Sequence, residues 1–146
     1  FMGHLDDAMN YLNQARAVTP QFGPNGVGVI DTLANVRLLR DQPAECAGLL
    51  DELDKLIGSV EHRELYAYRH SQLTRARLLA YQGHLRGAKS CADKVSNIAV
   101  AMGDDALHLR AQLTLADLFQ RQGHFERVGQ IIGGLALTLK LHPPDF

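Results

Sequence analysis

A four-residue segment that returns at a fixed interval constrains the fold of this chain more than any other feature. Gln82-Gly83-His84-Leu85 is followed forty residues later by Gln122-Gly123-His124-Phe125, and Gly3-His4-Leu5 stands eighty residues before Gly83. The intervening copy falls at Gln42-Pro43-Ala44-Glu45, where proline replaces glycine. A period in this range is typical of stacked-repeat proteins, in which each repeat is one supersecondary unit. The sequence therefore predicts a repeat architecture.

Composition and charge place the chain among ordinary globular proteins. Hydrophobic residues make up 46% and charged residues 21%, and the formal net charge is −1, which argues against a general nucleic-acid or membrane-surface binder. No apolar run reaches the roughly 20 residues of a membrane span, and the first residues do not have the pattern of a signal peptide. Cys46 and Cys91 form neither a CxxC pair nor a disulfide framework, so an intracellular, cytoplasmic location is expected.

Apolar residues spaced at i, i+3, i+4 and i+7 predict seven helices, and no segment alternates as a strand would. The expected helices span residues 4–18, 29–40, 43–57, 61–82, 85–102, 105–122 and 124–141. Residues 21–28 are rich in glycine, but they lack the Lys-Ser/Thr of a phosphate-binding loop and no strand precedes them. This segment is therefore expected to be a long loop between repeats.

The helices group into one unpaired helix and three antiparallel pairs. Residues 1–20 are expected to be the second helix of a truncated repeat, followed by repeats at 29–58, 61–102 and 104–141, all within a single domain of residues 1–146. Gly3-His4-Leu5 aligns with the turn inside the later repeats rather than with the beginning of one. The chain is therefore expected to be a fragment of a longer protein.

With the period fixed at forty, the copies superpose without gaps. A small or apolar residue on the first helix (Val36, Ala76, Ala116) is followed three positions later by a large one (Leu39, Leu79, Phe119), and then by the turn at Pro43, Gly83 and Gly123. A small or apolar residue follows on the second helix, at Gly48, Ala88 and Val128. This pattern resembles the tetratricopeptide repeat, in which small residues let two helices approach and large ones fill the space beside them.

The resemblance implies an all-α fold: a right-handed superhelical solenoid of antiparallel helix pairs. The chain departs from the family in its period of forty rather than 34 residues. It also has Gln72 and Gln112 where the family has tryptophan. The long period is similar to that of kinesin light chains and of the large bacterial regulators related to the maltose activator.

In the resembling family, the first helix of each repeat lines a concave groove that holds the partner. When these groove positions are transferred to the equivalent positions of each repeat in this chain, the resemblance implies a set of partner-binding residues. They are Arg37, Arg40, Thr74, Arg77, Tyr81, Thr114, Asp117 and Arg121. Arginine and tyrosine are enriched in binding surfaces, and arginines can hold an acidic peptide through paired hydrogen bonds. The expected partner is a protein or peptide, including an acidic one. The alternative is a solvated face that carries ordinary charges.

The last helix is apolar nearly all round, whereas the terminal helix of a complete solenoid has a polar outer face. Two glycines four residues apart add to the expectation of a close helix contact. The interface is expected to include Gly129, Ile132, Gly133, Leu135 and Leu139. We expect a further helix of the parent chain, or a second copy of this chain, to cover it.

The sequence predicts neither a catalytic site nor a metal or cofactor site. His4, His84 and His124 recur at equivalent positions, but such positions lie about 10 Å apart, whereas zinc needs ligands about 2 Å away. The expected function is a non-catalytic protein-interaction or scaffold module of a larger regulatory protein. One alternative is the effector-sensing segment of a bacterial LuxR-type ATP-dependent transcription activator. A further alternative is an accessory domain of an enzyme whose active site lies elsewhere.

Overall fold

Every element that the structure describes is a helix. The computed structural model describes the backbone of residues 3–19, 24–58 and 66–141, and their side chains except at 3, 24 and 138–141. The helices are α1 (Gly3–Val18), α2 (Pro24–Leu39), α3 (Pro43–Ile57), α4 (Tyr66–Tyr81), α5 (Leu85–Met102), α6 (Asp105–Arg121) and α7 (Phe125–Leu141). Seven helices and no strand therefore occupy these three ranges, as the sequence predicted. None of the described helices is long and apolar enough to cross a membrane.

The helices pack in chain order, and the even-numbered helices make further contacts with one another. Each helix contacts the next one along the chain, and α2 also contacts α4, as α4 contacts α6. Three-residue turns join α2 to α3, α4 to α5 and α6 to α7. Such short connections produce antiparallel helix pairs. We call α2, α4 and α6 the first helices and α3, α5 and α7 the second helices of the three pairs.

The three turns share one backbone geometry. Each contains a residue with a positive φ angle: 62° at Asp41, 81° at Gly83 and 75° at Gly123. The amide of the following residue donates to the carbonyl five residues earlier, with distances of 2.8–3.0 Å at Gln42→Arg37, His84→Leu79 and His124→Phe119. This left-handed residue with a six-to-one hydrogen bond is the Schellman ending of a helix, which satisfies carbonyls that the helix leaves unpaired.

These turns correct the repeat register that the sequence suggested. The left-handed residue of the first turn is Asp41, which lies 42 residues before Gly83, whereas Gly83 and Gly123 are forty apart. Pro43, which the gapless alignment placed at the turn, is instead the first residue of α3, where its missing amide proton costs nothing. That alignment is therefore wrong by two residues for the first pair.

The corrected register reveals a row of alanines on the first helices. Ala34, Ala76 and Ala116 are 0%, 0% and 5% exposed. Ala34 shares a core cluster with residues of α3, and Ala76 shares one with residues of α5. In the gapless alignment Val36 took the place of Ala34. Alanine at this position allows two helix backbones to approach closely, because it occupies little space between them.

The helix α2 begins five residues earlier than the sequence predicted, so residues 24–28, expected in a loop, are helical. Pro24 occupies its first position, where the fixed φ of proline suits a helix. Val27 and Ile30 pack against Leu53 and Ile57 of α3, and this burial stabilises the added turn. Residues 20–23, the expected beginning of α4 at 61–65 and the expected proline stop at 143–144 lie outside the described residues.

Replacing Asp41 by glycine is expected to stabilise the protein by up to about 1 kcal/mol, because a left-handed backbone strains any residue with a Cβ atom. The Asp41 carboxylate accepts a hydrogen bond from the exposed hydroxyl of Tyr81, which glycine would lose. The variant Tyr81→Phe measures the contribution of this hydrogen bond to the free energy of unfolding. Urea unfolding of both variants gives the difference. The control is Pro43→Gly, which the gapless register would place at the turn. We expect Pro43→Gly to destabilise the protein, and stabilisation by it instead of by Asp41→Gly would contradict the corrected register.

Candidate ligand-binding groove

The first helices line an open groove with a volume of about 1120 Å³. In the corrected register, four positions of each first helix contribute to it. The four sets of equivalent residues are Gly28, His70 and Arg110; Asp31, Leu73 and Leu113; Thr32, Thr74 and Thr114; and Asn35, Arg77 and Asp117. The end of α1 and the beginnings of α2 and α4 complete the wall, with Leu12, Thr19, Asn25, Val29, Tyr66 and Ala67.

Helical spacing explains why these residues share a surface. His70, Thr74 and Arg77 are related as i, i+4 and i+7, so they lie along one face of α4. Ala76 and Ala80 on the same helix are buried in the core. The groove face of α4 therefore carries polar side chains beside Leu73, while the neighbouring face is apolar.

A row of threonines runs across the floor of the groove. The hydroxyl of Thr32 donates to the carbonyl of Gly28 at 2.8 Å, and the hydroxyl of Thr114 donates to the carbonyl of Arg110 at 3.0 Å. Each hydroxyl oxygen retains capacity as an acceptor. The floor can therefore accept hydrogen bonds from the backbone amides of a bound segment.

Two arginines in the groove are held in place by neutral acceptors. Nη1 of Arg77 donates to Oδ1 of Asn35 at 3.0 Å, and Nη1 of Arg110 lies 2.9 Å from Nδ1 of His70. A guanidinium can only donate, so Nδ1 of His70 is the acceptor and its proton resides on Nε2. Burial lowers the pKa of His70, and the positive charge of Arg110 lowers it further, so the imidazole stays neutral.

Neither groove arginine makes an ion pair with a carboxylate among the described residues. The ion pairs of the described side chains join Arg16 to Glu52, Arg40 to Asp6, Arg75 to Asp54, Lys89 to Asp93 and Arg121 to Asp117. Asp117 lines the groove, but its Oδ2 accepts from Nε of Arg121 at 2.9 Å. The charges of Arg77 and Arg110 are therefore oriented without being neutralised by a direct partner.

The remaining acid of the groove is Asp31, which is in none of the ion pairs of the described side chains. Burial raises the pKa of Asp31, although a hydrogen bond with Thr74 and the charges of Arg110 and Arg77 oppose that rise. Its Oδ1 is buried without a hydrogen-bond partner among the described residues. The groove lining therefore combines two arginines that have no direct carboxylate partner with one partly buried carboxyl group.

The structure brings half of the sequence-predicted groove residues together. Thr74, Arg77, Thr114 and Asp117 line the groove. The others lie outside its lining and bind neighbouring side chains: Arg37 donates to Gln42 at 2.9 Å, Arg40 pairs with Asp6 at 2.7 Å, Tyr81 donates to Asp41, and Arg121 pairs with Asp117.

Sequence reasoning missed eight polar residues of the groove lining, namely Thr19, Asn25, Asp31, Thr32, Asn35, Tyr66, His70 and Arg110. A signal for two of them was available, because His70 and Arg110 stand four residues before Thr74 and Thr114 on the same helix face. Asp31 and Asn35 could be found only with the corrected register of α2.

Metal ligands and cysteine thiols are the remaining chemically reactive side chains to locate. Among the described residues, no cluster of three or more His, Cys, Asp or Glu side chains could hold a metal ion. Cys46 is buried, and this burial raises the pKa of its thiol to about 11, which disfavours the reactive thiolate. Neither Cys46 nor Cys91 is among the residues that line the groove.

On the last helix, the predicted interface residues are largely exposed. Gly129, Ile132 and Gly133 are exposed and Leu135 is half-buried, while the side chain of Leu139 lies outside the described ones.

The described helices thus form an all-helical arrangement with an open groove, in which Arg77 and Arg110 have no direct carboxylate partner among the described residues. Comparison with protein families, curated proteins and solved structures found no match for this chain.

Proposed function

We propose that this chain is a protein-interaction module whose groove binds an extended acidic segment of a partner protein. In this proposal the three helix pairs stack as a right-handed, tetratricopeptide-like solenoid, with the first helices on the concave side. The contacts of α2 with α4 and of α4 with α6 support that arrangement, as does the repetition of the same groove positions on the three helices.

The observation that carries the proposal is the state of the two groove arginines. Arg77 and Arg110 are oriented by Asn35 and by neutral His70, so each guanidinium keeps its charge and retains further N–H donors. A guanidinium binds a carboxylate through two parallel hydrogen bonds, which are about twice as strong as those between neutral groups. Aspartate and glutamate side chains of a partner satisfy this geometry.

The openness of the groove favours a peptide over a small effector. Pockets for small molecules bury most of the ligand's surface and are about 300–1,000 Å³ in volume. The groove is at the upper end of that range, at about 1120 Å³, and is open to solvent. Its threonines and asparagines suit the repeating amides and carbonyls of an extended chain.

Selection from a displayed library of random peptides tests the proposal. Peptides that bind the immobilised chain should be enriched in aspartate and glutamate, and their affinity should fall as salt is added. Arg77→Glu should lower the affinity for a selected peptide about tenfold, and the double variant Arg77→Glu with Arg110→Glu should lower it about 100-fold. The reason is that each charged hydrogen-bonded pair contributes about 1.5–3 kcal/mol.

The matched control changes the same amount of charge outside the groove. Arg86 and Lys94 are exposed on α5 and do not line the groove, so Arg86→Glu with Lys94→Glu should leave the affinity within about twofold. Circular dichroism verifies that each variant keeps its helices. Equal losses in the groove and control variants, or selected peptides without acidic enrichment, would refute the proposed role of the groove.

A further inference from the structure

Each of the two groove arginines reaches toward the first helix that precedes its own. Nη1 of Arg77 on α4 donates to Oδ1 of Asn35 on α2 at 3.0 Å. Nη1 of Arg110 on α6 lies 2.9 Å from Nδ1 of His70 on α4. Asn35 and Arg77 occupy equivalent positions of the repeat, as do His70 and Arg110. One guanidinium group therefore lies between α2 and α4, and the other lies between α4 and α6.

Helix geometry sets the separation of these two guanidinium groups. Arg77 stands seven residues after His70 on α4, which is about 10 Å along the axis at a rise of 1.5 Å per residue. The two groups lie on opposite sides of α4, so they are also separated across the groove by about one distance between packed helices, roughly 8–10 Å. The two guanidinium groups are therefore about 14 Å apart, on a diagonal across α4.

The surface between the two arginines has a different character. The carboxyl group of Asp31 lies there, because it forms a hydrogen bond with Thr74, midway along α4 between the two arginine contacts. Leu73 and Leu113 line the same part of the groove, and Leu113 is 48% exposed. Among the described lining residues, no arginine or lysine other than the two groove arginines is present. An acidic side chain placed here would lose hydration without gaining a cation.

We propose that the groove selects an extended segment in which two acidic residues stand four positions apart with an apolar residue midway between them. This inference rests on the proposed function and adds the sequence of the partner segment. An extended chain rises about 3.3 Å per residue, so four residues span about 13 Å. Side chains alternate between two faces, so residues i, i+2 and i+4 all point toward the groove. The outer carboxylates reach Arg77 and Arg110, and the central side chain contacts Leu73 and Leu113.

Other arrangements place only one carboxylate on a guanidinium group. Adjacent acidic residues of an extended chain point to opposite faces. Residues four apart on a helix are separated by only about 6 Å along its axis, which is less than half of the distance between the arginines. A continuous acidic run would put a carboxylate beside Asp31 and the two leucines. The groove therefore distinguishes a spaced pair of acidic residues from acidic charge in general.

Fluorescence anisotropy with three isomeric peptides tests the proposal. Each is a labelled twelve-residue peptide with blocked ends and the same composition of two glutamates, one leucine, two threonines, and glycine and serine elsewhere. The first has Glu-Thr-Leu-Thr-Glu at its centre, the second has adjacent glutamates, and the third has glutamates eight positions apart. The second and third should bind at least about fivefold more weakly than the first, because each can pair only one carboxylate with an arginine. Replacing the leucine of the first peptide by glutamate should not raise its affinity, although it adds a charge.

Double-mutant cycles then assign each glutamate of the first peptide to an arginine. Arg77→Gln and Arg110→Gln are each measured against peptides in which one glutamate is replaced by glutamine. Each arginine should couple with one glutamate and not with the other, so that changing both partners of a pair costs no more than changing one. The control is Arg86→Gln on α5, which is exposed outside the groove and should couple with neither glutamate.

The remaining outcomes separate this inference from the proposal on which it rests. Equal affinities of the three isomers, or coupling of both arginines to the same glutamate, would overturn the spaced pair. The groove would then still bind acidic segments if peptides selected from the random library are enriched in aspartate and glutamate. If the selected acidic peptides bind and none of the three isomers does, the spaced pair is also wrong. Selected peptides without acidic enrichment would overturn the proposed function itself.

Discussion

Replacement of Leu50 by alanine is expected to lower the free energy of unfolding by about 3 kcal/mol, since buried leucines typically lose 2–5 kcal/mol on truncation. Leu50 is 1% exposed and packs with Ala34, Cys46 and Leu78, so its cluster joins α2, α3 and α4. Neighbours from three helices cannot all move into the cavity that alanine leaves. A loss of this size is a large fraction of the stability of a typical domain.

The control for this prediction is the equivalent residue of the last pair. Ile132 occupies the position of Leu50 on α7, but it is 46% exposed, so Ile132→Ala is expected to cost less than about 1 kcal/mol. Urea unfolding followed by circular dichroism measures both variants, and an unchanged slope shows that the unfolded states are comparable. Equal losses at the two positions would contradict the difference in burial between Leu50 and Ile132.

The positions of most helices could be predicted from the sequence because their apolar spacing is regular. The helix expected at residues 85–102 is α5, whose stripe includes Ala88, Ala92 and Val95 and whose end at Gly103 is left-handed. The beginning of α2 could not be predicted in the same way. Residues 26–28 contain two glycines, and their helical state depends on contacts with α3, which lies later in the chain.

The register of the first pair was misread because a turn residue was not glycine. Gln42-Pro43 resembles Gln82-Gly83 in the sequence, whereas the residue equivalent to Gly83 is Asp41. Aspartate adopts the left-handed conformation more readily than most residues, so the turn closes without glycine. The row of Ala34, Ala76 and Ala116 would have revealed the two-residue shift.

That shift explains the misplacement of Arg37, whereas Tyr81 and Arg121 lie outside the groove although the register of their helices was correct. Two residues turn a helix by about 200°, so a register error of two moves the prediction to the opposite face. The error affects α2 alone, where Arg37 was chosen and Asn35 lines the groove. On α4 and α6 the register was correct, and Arg77 and Asp117 do line it. The roles of His70 and Asn35 as neutral acceptors depend on contacts between helices, which no spacing within one helix reveals.

The second large effect is expected at the alanine row. Ala76→Leu should lower the free energy of unfolding by about 2 kcal/mol, because extra methylenes in a packed core typically cost 1–3 kcal/mol. Ala76 is 0% exposed and shares its cluster with Ala88 and Ala92 of α5 and Leu118 of α6. The added isobutyl group must separate α4 from its neighbours. Ala101→Leu on the exposed side of α5 should have an effect within about 0.5 kcal/mol.

A pair of variants on α2 then decides between the two registers. In the corrected register Ala34 is equivalent to Ala76 and is also 0% exposed, so Ala34→Leu should cost about as much as Ala76→Leu. In the gapless register Val36 takes that position, and Val36→Leu would be the costly change. Valine already fills most of the volume of leucine and Val36 is 8% exposed, so we expect Val36→Leu to cost less than about 1 kcal/mol. If urea unfolding reversed this order, the helix pairs would not be equivalent in the way that the four sets of groove residues require.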